Sequence, residues 1–121
     1  TIKLKIMTKF LYLFRGGDAR RAQQSPEEMQ AHMQKWGAWM NNLAEQGTLV
    51  DGLPLGNEGK VVSSDGKTIT DGPFAEGAEI VGGYLIVNAE NLSDATRTSL
   101  GCPIFEHEGT VEVREIMGMD I

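Results

Sequence analysis

Apolar positions along the chain switch between two periods. Phe10-Leu11-Tyr12-Leu13-Phe14 is a continuous apolar run of strand length, the pattern of a central strand buried on both faces. Arg15-Gly16-Gly17-Asp18 ends it, and the polar stretch 20–24 predicts a loop. The period then lengthens. Met29, Met33, Trp36, Met40 and Leu43 recur at spacings of four, three, four and three, one apolar face of a helix from Pro26 to about Gln46. Ser25 with Glu28 makes a capping box, Pro26 suits the first turn, and Gly47 suits a left-handed C-terminal residue.

The second half alternates more. Thr48-Leu49-Val50 predicts a short strand and Gly52 to Gly59 a loop. Lys60 to Ser63 and Lys67 to Thr70 flank Ser64-Asp65-Gly66, a hairpin signal through its Asp-Gly pair. Asp71 to Gly77 reads as irregular. Glu79 to Asn88 predicts a long strand, in which Gly82-Gly83 marks a bulge or a close backbone approach. Asn91 caps a short second helix that Gly101 and Pro103 stop, and Thr110 to Met117 supplies a last strand.

With the hairpin set aside, the order is two strand-helix-strand units. That predicts an α+β, ferredoxin-like β-α-β-β-α-β domain with an inserted β-hairpin and both helices on one sheet face. The other face then lacks cover and is expected to be a subunit interface, making the chain a homodimer.

Composition narrows the function classes. The 121 residues suit one domain over 1–121, with 1–6 read as an extension ahead of Met7. Eleven Lys and Arg against seventeen Asp and Glu give a net charge of −6, which argues against direct nucleic-acid binding. No apolar run has membrane-spanning length. The single Cys102 forms no internal disulfide and fits a cytoplasmic setting. His32 and His107 lie far apart, so neither a metal site nor a cofactor motif is expected.

One segment carries a resemblance. Asp71-Gly72-Pro73-Phe74-Ala75-Glu76, followed by Glu79-Ile80-Val81-Gly82-Gly83-Tyr84, resembles the signature of the YCII-related family in its DGPF branch. Phe10 to Arg15, Ser25 to Gly47, Gly101-Cys102-Pro103 and Val111 to Arg114 extend the likeness over nearly the whole chain from Met7. The resemblance implies a ferredoxin-like domain pairing into a dimeric α+β barrel. Relatives outside the branch have a His/Asp pair in a pocket, with a dehydrochlorinase-like activity proposed for one lineage. Others occur beside or fused to sigma factors. Where the branch usually carries Lys, this chain has Ala78 between Glu76 and Glu79.

Candidate residues follow, each with a structural alternative. Asp71 is the catalytic candidate, as an acid or base desolvated beside Phe74; its alternative is to accept hydrogen bonds from its own turn. His32, with Trp39 on a second helix face, suits proton transfer at a barrel mouth; its alternative is a solvated helix histidine. Arg15 can pair with Asp71 or hold an anion, or form a strand-end ion pair. Trp36, Phe74 and Tyr84 are expected to line a ligand pocket, or to serve as core. Glu112 and Arg114 are expected as cross-sheet or interface partners, Cys102 as inert packing and His107 as a surface loop residue. Two functions fit: a cofactor-free acid/base site for an unknown small molecule, or a non-catalytic dimeric regulatory module linked to transcription initiation.

Overall fold

The structure, a computed structural model, describes residues 7–17, 23–56, 58–71 and 81–118. A four-stranded antiparallel sheet holds β1 (Thr8–Arg15), β2 (Leu49–Pro54), β5 (Val81–Ala89) and β6 (Thr110–Glu115), in the order β2-β5-β1-β6. Helices α1 (Pro26–Glu45) and α2 (Leu92–Ser99) pack on it, and a 3-10 turn (Pro103–His107) leads into β6. The hairpin of β3 (Lys60–Val62) and β4 (Ile69–Asp71) forms a separate two-stranded sheet. Without the hairpin this is the ferredoxin-like arrangement expected from the element order.

The local rules act where the sequence places them. Ser25 accepts the backbone N–H of Glu28, and the Glu28 side chain accepts the backbone N–H of Ser25. Gly47 follows the helix at φ +73°. In the hairpin turn, Asp65 accepts the hydroxyl and backbone N–H of Thr68 and the backbone N–H of Lys67. Those bonds, the Thr68 hydroxyl first, hold its carboxyl at about 2. The predicted bulge sits at Gly82, which is skipped between the pairs Phe14–Gly83 and Arg15–Val81.

One element is longer than its pattern suggests. The stretch expected to be a loop from Gly52 continues β2 through Gly52-Leu53-Pro54. Pro54 is tolerated because β2 is an edge strand, and the next N–H, that of Leu55, donates to the Gly82 carbonyl at 2.9 Å. Gly52 is required by contact: a Cβ there would lie 2.2 Å from Leu85 Cδ2 and 2.6 Å from the Tyr84 carbonyl oxygen.

Strand alternation builds the core. Phe10, Tyr12 and Phe14 of β1 and Leu85 and Val87 of β5 are buried on the helix side. Leu43 completes the cluster from α1, and Trp36, Trp39 and Met40 pack against it. Leu11, Leu13, Tyr84 and Ile86 occupy alternate positions on the other face and are half-buried. Among the described residues, no helix is long and apolar enough to cross a membrane.

Two buried acids make stability depend on alkaline pH. Tyr12 donates its hydroxyl to the Ala95 carbonyl, and burial, then the neighbouring Cys102, pushes it from 10.0 up to about 12. Burial pushes the Cys102 thiol from 9.0 to about 12, against a weaker opposing backbone hydrogen bond at Ile104. The unfolded chain releases both protons first, so folding loses stability as pH rises above about 9. Urea unfolding of wild type should therefore show a midpoint that declines from about pH 8 to about pH 11. Tyr12→Phe with Cys102→Ala should flatten that decline, at a cost of about 1–3 kcal/mol at neutral pH. An undiminished slope in the double variant would show that other groups govern it.

Candidate functional site

The two tryptophans of α1 pack on the aromatic face of β1. Trp36 meets Phe14 edge-on at 5.1 Å between ring centroids, and Trp39 stacks on Tyr12 at 6.4 Å. Beside Trp36 a cleft of about 230 Å³ remains open. Its floor is Phe14 and Leu85, and α1 supplies Met33, Trp36 and Met40 as one wall. Leu53-Pro54 of β2 and Gly82-Gly83 of β5 form the opposite wall. The end is closed by Ile104 and His107, with Gly16-Gly17 beside them.

The two histidines of the chain meet here. His32 and His107 are 5% and 4% exposed, and their rings stack at 3.6 Å with 21° between planes. His32 stands one helical turn before Trp36, which brings the two side chains onto one face. The Trp36 indole N–H donates to His32 Nε2 at 2.8 Å. On the other side of the ring, His32 Nδ1–H donates to Glu106 Oε2 at 3.3 Å. An indole can only donate, so the neutral His32 ring carries its proton on Nδ1. Lys35 Nζ donates to Glu106 Oε1 at 2.8 Å. The Lys35 hydrogen bond first, and that of His32 after it, hold the Glu106 carboxyl below the usual range. The site is thus a carboxylate–imidazole pair, the arrangement that orients a histidine for proton transfer.

Short-range geometry explains how the 3-10 turn delivers its part. Pro103 stands in its first turn, and Ile104 and His107, three apart, both turn inward. Glu106, between them, stays at the surface and reaches back to α1.

The candidate residues divide. His32 is not solvated but buried, and Trp36 and Tyr84 border the cleft. By strand register, the Tyr84 side chain belongs to the sheet face shared with Leu13, so it meets the cleft at its rim. Trp39, two turns along the same helix face as His32, does not line the cleft; it packs into the core beside Tyr12 and Phe14. Phe74 and Ala78 lie outside the described residues. Asp71 ends β4, exposed, and is ion-paired with Lys60 across the hairpin. Arg15 Nε–H donates to Glu112 Oε1 at 3.2 Å, the cross-sheet pairing open to Glu112. Arg15 and Asp71 therefore have separate partners, and neither lines the cleft. The expectation of His107 as a surface loop residue is corrected: the 3-10 turn buries it against His32. Cys102 is buried, as packing requires. Among the described residues, no group of three or more His, Cys, Asp or Glu side chains is placed to hold a metal ion.

Fold and cleft together define a ferredoxin-like α+β domain with an aromatic pocket between its long helix and the bulged end of its sheet. The YCII-related domain family matches residues 11–120, and the chain belongs to that family. No curated protein matches it.

The cleft's dimensions give a direct check. Gly52→Ala forces a methyl group against Leu85 and the Tyr84 carbonyl, and should cost about 1–3 kcal/mol by overpacking. Gly82→Ala meets nothing within 4 Å and should cost markedly less. Thermal unfolding of both variants reads the difference; equal losses would contradict the close approach of β2 to β5.

Proposed function

We propose that this chain is a homodimeric domain that binds a small, uncharged, largely apolar molecule in the Trp36 cleft, with His32 as its acid/base group. The observation that carries the reading is the cleft's lining. Its walls are aromatic and aliphatic, and at its end lies a buried imidazole oriented by Glu106. Among the described residues, none of the side chains lining it is Lys, Arg, Asp or Glu. A charged ligand would lose its hydration there without gaining a counter-charge. The volume is below the ~300 Å³ at which pockets for drug-sized ligands begin, which favours a single ring or a short branched chain. The chemistry in reach is proton transfer without a cofactor.

Dimerisation is part of the same reading. The half-buried apolar face of Leu11, Leu13 and Ile86 lies opposite the helices and suits a second copy. Light scattering should give twice the chain mass, and Leu13→Asp should give the monomer. A wild-type monomer at micromolar concentration would end this part of the proposal.

A regulatory reading draws on a different surface. On the hairpin, Val62 and Ile69 pair across the strands while 59% and 63% exposed, as a docking edge for a protein would be. Ligand binding separates the two readings. Ligand-observed NMR with phenol, benzamide and benzoate should show the two neutral probes binding and benzoate not. Trp36→Ala should abolish that binding, and Asp71→Asn should leave it unchanged. A preference for benzoate, or a dependence on Asp71, would refute the uncharged-ligand assignment.

A further inference from the structure

The hydrogen bond between Trp36 and His32 at the end of the cleft sets a condition on its use. His32 has two ring nitrogens. Nδ1–H is committed to Glu106, so Nε2 holds the lone pair through which the ring can accept a proton. That lone pair is occupied by the Trp36 indole N–H at 2.8 Å. We infer that Trp36 is a latch on His32: adding a proton to Nε2 breaks the hydrogen bond and turns the Trp36 wall of the cleft away from the imidazole.

The chemistry leaves little choice. Once Nε2 is protonated, it becomes a donor aimed at another donor, and two N–H groups cannot share a hydrogen bond. Trp36 is half-buried, with one side on Phe14 and Trp39 and the other on the open cleft, and Trp39 and Leu43 hold the helix to the core beside it. The imidazolium keeps its contact with the Glu106 carboxylate, which receives the new charge as a counter-ion. Among the described residues, other charged and titratable groups facing the ring are few. From its own helix, Lys35 approaches on the far side of Glu106 and opposes a second positive charge. Glu28, one turn earlier, is turned to the helix N-terminus. From the 3-10 turn, His107 stacks on the ring, so protonation of one imidazole disfavours protonation of the other. The cleft residues from β2 and β5 nearest this end are uncharged.

A ligand bearing an acidic O–H or N–H would act as a proton does. Its hydrogen takes the place of the indole hydrogen on Nε2, and Trp36 moves to admit it. The inference thus deepens the cleft assignment and rests on it for this consequence, but protons alone test the latch.

Trp36 and Trp39 are the two tryptophans of the chain, so Trp39→Phe leaves Trp36 as its single indole reporter. Its emission, followed as the solution is acidified, should show one transition that reports loss of the indole's acceptor at Nε2. Adding His32→Gln, which keeps an acceptor but does not titrate, should remove that transition. Adding His107→Gln should retain it. A flat titration, or a transition that persists without His32 or vanishes without His107, overturns the latch. Should a variant not fold, ¹⁵N imidazole shifts of the wild type at about pH 8 decide the matter. Protonated Nδ1 with an accepting Nε2 supports the latch, and the reverse tautomer overturns it. Either failure leaves the cleft assignment standing, since that is read by probe binding.

Discussion

The packing of Trp36 and Trp39 against β1 is the constraint on which the rest of the structure depends. Phe10, Tyr12 and Phe14 give the central strand one aromatic face, and α1 answers it with two indoles one turn apart. Rings of this size cannot interdigitate as closely as aliphatic side chains, and they prefer edge-on and offset contacts. Those contacts join the helix to β1 and leave space between it and the bulged end of the sheet. What remains there is a cleft whose wall is the outer of the two indoles. Close packing elsewhere, as where Gly52 lets β2 approach β5, keeps the space confined to one end.

Electrostatics then make that space chemical. A histidine inside an apolar cleft is costly unless its nitrogens are used. Trp36 uses one and Glu106 the other. Glu106 is itself steadied by Lys35, so a chain of four side chains runs from solvent to the Trp36 wall of the cleft. The same chain ties α1 to the 3-10 turn, linking the long helix to the segment that delivers β6. Site and fold share these bonds, and alterations at Glu106 or His32 act on both.

Much of the fold is legible in the sequence because its signals are local. The Ser25–Glu28 box, the Asp65-Gly66 turn and the Gly82 bulge each depend on neighbours within a few residues, and all occur where the pattern places them. The YCII-related resemblance likewise follows from a contiguous block. The site was less legible. His32 and Trp36 are four apart on a predicted helix, so their adjacency was available from spacing. Glu106 and His107 come from the far end of the chain, and a sequence does not state which loop folds back. The signal for them was Pro103 followed by Ile104 and His107 at 3-10 spacing, a pattern too short to separate from an exposed loop. Asp71 drew attention through its rigid neighbours. Among the described residues its partner is Lys60, which only the hairpin register reveals.

The central claim is that the Trp36 cleft receives an uncharged ligand at a His32–Glu106 pair. A crystal structure of the protein soaked with a library of small neutral aromatic fragments tests it most directly. The account predicts fragment density between Trp36 and the Gly82-Gly83 wall, within hydrogen-bonding distance of His32. Fragments gathered elsewhere, with the cleft closed by its own side chains, would contradict it.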